Sequence, residues 1–356
     1  MKAREKLSVT DVPDPVLQGP DEAIVKVTHS CICGSDLWFY RGLSPQGSRI
    51  DHEFMGVVEA VGDEVKTVKV GDFVIAPFVI SDGTCPECTV GETRFCRHGM
   101  FWGTNGYDAG QWVKVRLPFA DGTLVVVPGG NDLDEHMLRA VLPLTDVLST
   151  GHHAAVDARV SAGSTVAVIG DGSVGLCAVA ASKRLGASRI FLVSTHEDRA
   201  AIGTQFGATD IIAARGDDAV QQIKAATGDL GVDAALECVG TPEAWDTAFD
   251  AVRIGGNVGF VGVPHDVADV PVSKLFGSNK GIKGSGASAR HYIPELLPDV
   301  LNGSLDVSAI FTEELPLAEV ANLDPRVACR VARFDARIGQ TLPRMDSWWC
   351  RHRRCR

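Results

Sequence analysis

Two hydrophobic patterns divide the chain near Gly151. Up to that residue, short apolar and β-branched runs alternate with Gly, Pro and Asp, as in "EAIVKVTHSCIC", "FMGVVEAVG" and "DFVIAPFVI". Runs of this kind predict short strands separated by turns. We therefore expect residues 1–150 to form a β-rich first domain.

After Gly151 the pattern changes to strands that alternate with helices. "STVAVIG" and "RIFLVS" are typical of buried strands, and each precedes a helical segment, "SVGLCAVAASKRLGA" and "EDRAAIGTQFGA". The segments "VDAALECVG", "PEAWDTAFDAVRIGG" and "NVGFVGV" continue this alternation. Repeated strand–helix–strand units predict a parallel sheet covered on both faces. Residues 151–287 are thus expected to form an α/β second domain, and residues 288–324 to return to the first.

The composition agrees with two folded domains. The chain has 356 residues, of which 45% are hydrophobic and 22% charged, as is typical of a globular protein with more than one core. No apolar run approaches the roughly 18 residues of a membrane span, and the start "MKAREKLSVT" lacks an apolar signal region. We expect a cytoplasmic protein without membrane contact, whose ten cysteines are thiols or metal ligands rather than disulfides.

Charge is distributed unevenly along the chain. The net charge of −11 argues against a nucleic-acid partner, whereas residues 325–356 contain nine Arg and only two Asp. Such a basic tail either binds an anionic partner or is a disordered or non-native terminus. We favour the second interpretation because disorder concentrates at chain ends.

A glycine-rich motif connects the first strand and helix of the second domain. Gly170, Gly172 and Gly175 fit the pattern G-x-G-x-x-G, and Ser173 and Val174 open the helix that follows. In this context the glycines permit a tight turn and a close approach to a pyrophosphate, which the helix N-terminus faces. A dinucleotide site is predicted; the alternative is a glycine-rich connection that binds nothing.

The end of the next strand bears on the choice of cofactor. NAD-binding domains place a carboxylate there for the ribose 2′-hydroxyl, whereas this chain has Ser194, Thr195 and His196. Because a carboxylate would repel a 2′-phosphate and small hydroxyl residues would accept it, we predict that NADP is preferred, with NAD possible as a cofactor.

Cysteine and histidine positions in the first domain suggest metal binding. Cys33 follows a predicted strand and His52 follows a loop, and both are flanked by polar residues, although a lone Cys or His is normally a core residue. Further on, Cys85, Cys88 and Cys96 have the spacing of a metal knuckle with one thiolate missing. Asp82 stands at the missing position, so the site is broken, completed by a carboxylate, or accidental.

Taken together, these motifs resemble a known family. The run C-x-S-D at 33–36, H-E-x-x-G at 52–56 and the glycine motif at 170–175 are similar to those of the zinc-dependent alcohol dehydrogenases of the medium-chain dehydrogenase/reductase superfamily. "VGDEVKTVKVGDFV", "ECVG" and "LPLAEV" match as well, and the resemblance covers about residues 20–320. It implies a GroES-like catalytic domain and a Rossmann cofactor domain.

The resemblance also implies roles for individual residues. Cys33, His52 and Asp146, the last within D-x-x-[ST]-T-G, match the ligands of a catalytic zinc ion. Glu53 matches a carboxylate that can approach the metal transiently, and Ser35 matches the hydroxyl that relays the proton of the alcohol. These five residues are the predicted catalytic set.

A second, structural zinc ion is implied for the cysteine-rich lobe, on Asp82, Cys85, Cys88 and Cys96. A carboxylate oxygen can complete the tetrahedron and close the site, and the alternative is that the metal is lost and the cysteines only pack. Within "ECVG", Val239 and Gly240 are carried over as cofactor contacts.

Two positions depart from the family. Asp51 replaces the usual Gly before the His-Glu pair, and Trp38 stands where some relatives have a relay histidine. Asp36 is expected to hold its loop and Trp102 to line the substrate pocket. The remaining cysteines considered, Cys31, Cys177 and Cys238, are expected to pack in the core.

The expected function is hydride transfer between NAD(P) and an alcohol, a secondary one in particular, or the corresponding ketone or aldehyde. The alternatives are a polyol or sugar dehydrogenase of the same superfamily and a non-catalytic cofactor-binding relative, since a fold alone does not guarantee activity. We expect a small-molecule alcohol or carbonyl substrate and a homodimer or homotetramer.

Overall fold

The computed structural model describes residues 12–36, 51–103, 108–264, 266–267, 272–317, 319 and 330–333. Its strands are β1 (Ala23–Ile32), β2 (Phe54–Val61), β3 (Phe73–Ala76), β4 (Val79–Ile80), β5 (Met100–Phe101), β6 (Lys114–Leu117), β7 (Val125–Val126), β8 (Thr165–Ile169), β9 (Arg189–Val193), β10 (Asp210–Ile212), β11 (Val232–Glu237), β12 (Val252–Phe260), β13 (Gly281–Gly284), β14 (Glu313–Pro316) and β15 (Arg330–Arg333). Its α-helices are α1 (Pro86–Thr89), α2 (Ala120–Thr123), α3 (Glu135–Val141), α4 (Val147–Asp157), α5 (Ser173–Arg184), α6 (Glu197–Phe206), α7 (Gly216–Ala226), α8 (Pro242–Ala251), α9 (Val272–Ser278) and α10 (Ala289–Leu301). Short 3₁₀ helices cover Thr93–Phe95, Gly130–Asp132, Leu142–Thr145 and Ser308–Ile310.

The first sheet is built around β1. Strand β2 pairs with β1 along one edge, while β6 and β15 share the other edge, all in antiparallel orientation. The full order is β14-β15-β1-β2-β3-β7, with β6 attached to β1. Residues 313–316 and 330–333 therefore belong to this first sheet, although residues 330–333 fall within the segment that the sequence analysis assigned to the basic tail.

The second sheet is parallel throughout and has the order β10-β9-β8-β11-β12-β13. Counted from β8, this is the strand order 3-2-1-4-5-6 of a doubly wound dinucleotide-binding fold. The order reverses between β8 and β11, and in open α/β sheets ligands bind at that switch point. The predicted fold class, a β-rich domain followed by a doubly wound parallel sheet, is confirmed.

Element boundaries follow the sequence pattern with one instructive difference. The predicted helix "PEAWDTAFDAVRIGG" ends at Ala251, and β12 already begins at Val252. Thr241 caps the helix N-terminus through its hydroxyl, and Pro242 follows at the first helical position, as expected for a helix start. The residues of the predicted helix after Ala251 are, apart from Arg253, apolar or Gly and fit either period, so pairing with β11 decides their structure.

One hydrophobic core connects both sheets. It includes Met55 and Ile75 of the first sheet, Leu148 of α4, and Val166 and Leu192 of the second sheet. Helix α4, which the predicted boundary at residue 150 would divide, is buried along most of its length. In the described part of the chain, no helix has the length and apolar character needed to cross a membrane.

Candidate active site and metal centres

Four potential metal ligands meet beside the end of β1. One ligand atom from each of Cys33, His52, Glu53 and Asp146 lies within 4.8 Å of the others. Cys33 directly follows β1, His52 and Glu53 directly precede β2, and Asp146 directly precedes α4. Since β1 and β2 are antiparallel neighbours, the end of one strand meets the start of the other, and α4 adds the fourth side chain.

His52 is held between two carboxylates. Its Nδ1 lies 3.3 Å from Asp36 Oδ1, and its Nε2 lies 3.1 Å from Asp146 Oδ2. Asp36 also accepts the backbone N–H groups of Cys33 (2.9 Å) and Asp51 (3.2 Å). Asp36 thus holds its loop, as predicted, and in addition orients the imidazole, a role that the sequence analysis missed.

Two threonines near the start of α4 position the remaining carboxylates. The Thr150 hydroxyl donates to Asp146 Oδ1 over 2.6 Å, and the Thr145 hydroxyl lies 3.2 Å from Glu53 Oε2. The other oxygen of Glu53, Oε1, is buried and has no hydrogen-bond partner. An unpartnered carboxylate oxygen inside a ligand cluster is what a bound cation would satisfy.

The buried charges of this cluster also indicate a bound cation. Asp36, Asp51, Glu53 and Asp146 are all 8% exposed or less, and one histidine does not balance them. Burial, with Asp146 nearby, raises the pKa of Glu53 to about 8, and burial raises the pKa of Cys33 to about 12. Burial lowers the pKa of His52, but Asp36 and Asp146 outweigh it and the net pKa is well above the ordinary value. A divalent cation would reverse the penalty on the thiolate and the carboxylates, so the donor set of S, N and O atoms fits zinc.

Ser35 and Asp51 adjoin this cluster. Ser35 Oγ lies 3.5 Å from His52 Nε2. Asp51 has φ +84 and accepts the Glu53 N–H over 2.9 Å, while its Oδ2 is buried without a partner. The backbone conformation explains why a glycine is usual at this position. Trp38 lies outside the described residues.

The cysteine-rich lobe lies between β4 and β5 and contains a second ligand cluster. Ligand atoms of Asp82, Cys85, Cys88 and Cys96 all lie within 4.8 Å of one another. The three cysteines are free and buried, and Cys85 Sγ is 3.8 Å from Cys96 Sγ. The Asp82 N–H is directed at Cys96 Sγ over 3.3 Å, an arrangement that stabilises a thiolate.

The carboxylate of Asp82 has several donors around it. Its Oδ1 accepts the N–H groups of Thr84 (2.8 Å) and Cys85 (2.9 Å), and its Oδ2 lies 2.6 Å from His98 Nδ1. Partial burial opposes ionisation, but these donors outweigh it and hold the pKa of Asp82 well below its ordinary value. Burial raises the pKa of Cys88 and Cys96 above the ordinary thiol value. A bound cation would favour the thiolates, and the donor set fits a structural zinc ion.

The predicted glycine loop lies at the switch point of the second sheet. Gly170 has φ +112, and a Cβ on Gly175 would lie 2.0 Å from the Gly170 carbonyl oxygen, so both need glycine. A Cβ on Gly172 would meet nothing within 4 Å, so this residue faces open space. Ser173 and Val174 begin α5 there, and its first N–H groups have no side-chain cap. The geometry is that of a pyrophosphate-binding turn.

Asp171, inside the glycine loop, contacts two of the residues after β9 that were predicted to bind the cofactor ribose. Its Oδ2 accepts from Ser194 Oγ (2.7 Å) and lies 2.7 Å from His196 Nδ1, and its Oδ1 accepts from Arg199 (3.1 Å). The Thr195 hydroxyl accepts from Arg215 over 3.0 Å. Asp171 was not among the residues predicted from the sequence, although its position between two motif glycines could have indicated it.

Two models of known protein families match this chain. Residues 19–128 match the family model "Alcohol dehydrogenase GroES-like domain", and residues 173–302 match "Zinc-binding dehydrogenase". A probable zinc-binding alcohol dehydrogenase of Mycobacterium tuberculosis is 39% identical over 88% of this chain and 80% of its own length. The chain belongs to the zinc-dependent alcohol dehydrogenase family.

Other similar proteins support the same family assignment for this dehydrogenase. A sorbitol dehydrogenase of Bacillus subtilis is 32% identical, with 88% of each chain covered. The alcohol dehydrogenase structure from Thermus sp. ATN1 superposes with a TM-score of 0.87 at 30% identity, over 94% of this chain and 99% of its own. The protein is therefore an oxidoreductase that uses zinc and NAD(P) and acts on small-molecule alcohols or carbonyl compounds.

The dehydrogenase also has a buried carboxylate at the switch point that the sequence analysis missed. Glu237, at the end of β11, accepts the N–H groups of Val239 and Gly240, each over 2.7 Å. Gly240 has φ +89 and is closely packed, while Val239 is 44% exposed. Glu237 fixes the loop that carries both predicted cofactor contacts.

The aromatic residues near His52 differ from the prediction. Trp102 is buried in the first-sheet core, where it packs edge-on against Phe54 and donates to Pro77 O over 2.8 Å, so it does not line an open pocket. Instead Phe78 lies edge-on to His52 with ring centroids 6.3 Å apart, and Phe101 stacks on Phe78 at 6.3 Å. Cys31 and Cys177 are buried in the core as expected, and Cys238 is partly buried against it.

Proposed function

We propose that the protein oxidises secondary alcohols to ketones and catalyses the reverse reduction, with Cys33, His52 and Asp146 as the ligands of the catalytic zinc ion. The observation that carries this proposal is the convergence of these side chains within 4.8 Å around an unpartnered oxygen of Glu53. Three protein ligands leave one position for the substrate oxygen, as in catalytic zinc sites.

Individual residues of this chain have separate roles in the proposed reaction. Asp36 fixes the ring of His52, and Thr150 fixes Asp146, so the ligand atoms keep their geometry. Ser35 takes the proton that leaves the substrate hydroxyl and passes it to solvent. When bound, zinc supplies Lewis acidity toward the substrate oxygen and the nicotinamide supplies the hydride acceptor. Phe78 and Phe101 orient the carbon chain of the substrate and exclude water.

We assign a structural zinc ion to Asp82, Cys85, Cys88 and Cys96. Four donors without an open position suit a closed site whose binding energy stabilises the lobe. The directed N–H groups at Cys96 and Asp82 support this assignment.

The preferred cofactor in this proposal is NADP. Ser194, Thr195 and His196 directly follow β9. Arg215 donates to the Thr195 hydroxyl over 3.0 Å, and Arg199 donates to Asp171, which also contacts Ser194 and His196. Two guanidinium groups and an imidazole favour a 2′-phosphate.

Asp171 opposes this preference less than an unpaired carboxylate would, because Arg199 offsets its charge over 3.1 Å and its Oδ2 lies 2.7 Å from both Ser194 Oγ and His196 Nδ1. Its carboxylate therefore positions His196 and Arg199 rather than accepting the ribose hydroxyl.

We further propose a homodimer or homotetramer. The exposure of Val272 (70%) and Phe276 (93%) on α9 supports this proposal, and light scattering measures the oligomeric state directly.

A screen of alcohols with both cofactors tests these proposals. Secondary alcohols, primary alcohols and polyols are oxidised with NADP or NAD, and zinc content is measured on the same samples. Preference for polyols, which the similarity to sorbitol dehydrogenase favours, would replace the secondary-alcohol assignment. Equal or better kcat/KM with NAD would overturn the cofactor proposal, and full activity after complete removal of zinc would overturn the ligand assignment.

A further inference from the structure

Arg94, in the cysteine-rich lobe, faces the aromatic wall formed by Phe78 and Phe101. It lies in the 3₁₀ helix Thr93–Phe95, and its guanidinium carbon is 4.1 Å from the ring centroid of Phe101. The backbone N–H of Arg94 donates to Ser288 Oγ over 3.2 Å, and a Cβ on Gly286 would lie 2.9 Å from the Nε of the Arg94 side chain. The side chain therefore runs along the loop between β13 and α10 and ends over Phe101.

This guanidinium lacks a carboxylate partner among the described residues. Its Nε is buried without a hydrogen bond, and burial lowers the pKa of Arg94 with no acidic group acting against it. Arg97, three residues later on the same lobe, is 61% exposed and forms two hydrogen bonds with Glu87, of 3.0 and 2.9 Å. The more buried of the two cations is thus the one without a counter-charge, although burying an unpaired charge is costly.

The position of Arg94 relates it to the predicted zinc ligands. From His52, the wall continues to Phe78 and then to Phe101, with 6.3 Å between ring centroids at each step, and Arg94 covers the far end. Phe101 is 39% exposed, so part of this wall is open. A substrate whose hydroxyl carbon lies near His52 would extend its chain along apolar rings toward a cation.

We propose that Arg94 binds an anionic group of the substrate, and that the preferred substrates are hydroxy acids and the corresponding oxo acids. The inference rests on the proposed function, because it assumes that the reacting oxygen lies at Cys33, His52 and Asp146. The C–H bond of the carbinol breaks, its hydride reduces NAD(P)⁺, the hydroxyl proton leaves to solvent, and the carboxylate remains unchanged. Arginine suits this task because its planar donors match a carboxylate in pairs.

The experiment compares reduction of oxo acids with reduction of uncharged ketones that have one more carbon, so that a methyl group takes the place of a carboxylate oxygen. The probes are 4-oxopentanoate, 5-oxohexanoate and 6-oxoheptanoate, paired with 2-hexanone, 2-heptanone and 2-octanone. The measured quantity is the ratio of kcat/KM within each pair, for wild type, Arg94→Met, Arg94→Lys and the matched lobe variant Arg97→Met. Thermal unfolding and zinc content of each variant verify folding.

We expect the wild-type ratio to favour the oxo acid by about tenfold or more for at least one chain length, as is common for a partly desolvated charge pair. Arg94→Met should lower that ratio at least about tenfold, Arg94→Lys should retain part of it, and Arg97→Met should leave it unchanged. A wild-type preference for the uncharged ketone, or the same ratio in Arg94→Met, overturns the inference while the proposed function stands. If neither series is reduced, the proposed function fails. In that case titration calorimetry measures binding of 5-oxohexanoate to the protein with reduced cofactor. Equal binding to wild type and Arg94→Met overturns the inference.

Discussion

Asp36 lies 3.3 Å from Nδ1 of His52 and thereby directs the opposite nitrogen, Nε2, toward Asp146, 3.1 Å away. This pairing predicts the effect of Asp36→Asn. The amide oxygen can still accept from Nδ1–H, but without charge, so zinc affinity should fall about 10- to 100-fold. Competition with a chromogenic chelator measures it. The control is Asp72→Asn. Asp72 precedes β3, pairs with Lys69 over 2.7 Å and belongs to neither ligand cluster, so this variant should retain zinc as wild type does.

Asp82 predicts a change in zinc stoichiometry. Asp82→Ala should lower the zinc content from about two to about one ion per chain and lower the melting temperature, because metal binding stabilises the lobe. Asp82→Asn separates two roles: it keeps an oxygen for the N–H groups of Thr84 and Cys85 but is a poor zinc ligand. Asp82→Cys should restore both zinc ions. Unchanged metal analysis in Asp82→Asn would mean that Asp82 only caps the turn.

Sequence patterns predicted the features whose residues are neighbours in the chain, and the family resemblance added the distant set of catalytic zinc ligands. The supporting contacts that depend on folding were missed. The glycine loop and the cysteine lobe are contiguous motifs, so their spacing alone carried the information. Asp171, Thr145 and Arg94 gain their partners from segments 23, 92 and 194 residues away. No local periodicity encodes such contacts, because they arise only when β9 aligns with β8, or when α4 and α10 pack on the first sheet.

Asp171 predicts a change in cofactor choice. Asp171→Ala removes the acceptor that holds Ser194, His196 and Arg199, so the cations should lose their positions at the 2′-phosphate. We expect the NADP to NAD ratio of kcat/KM to fall about 5- to 50-fold, the range of one or two charge-assisted hydrogen bonds. Asp210→Asn, which breaks a comparable pair with Arg189 on the same sheet, should leave the ratio unchanged. A higher ratio in Asp171→Ala would show that the carboxylate repels the phosphate.

Asp51 predicts a difference between two small substitutions. Its φ of +84 is unfavourable for any residue with a Cβ, and both Asp51→Gly and Asp51→Ala remove the acceptor of the Glu53 N–H. Only glycine relieves the backbone strain, so Asp51→Gly should be more stable than Asp51→Ala by about 1 kcal/mol. Urea unfolding of zinc-loaded protein measures the difference. Equal stability of the two variants would show that the backbone at residue 51 is not strained.

His152 predicts an acid-sensitive contribution to stability. The ring is 1% exposed, its Nδ1 has no partner, and burial lowers its pKa to about 4 from the ordinary 6.5. As the pH falls below about 6.5, the unfolded chain binds this proton before the folded protein does, so the free energy of unfolding decreases until the pH approaches about 4, by at most about 1.4 kcal/mol per pH unit. His152→Gln should remove this part of the slope, whereas His136→Gln, at an exposed histidine paired with Asp306, should keep it. Because acid also releases zinc from every variant, the decisive measurement is the wild-type minus variant difference in urea unfolding between about pH 7.5 and about pH 5; a constant difference across that range would contradict the assignment.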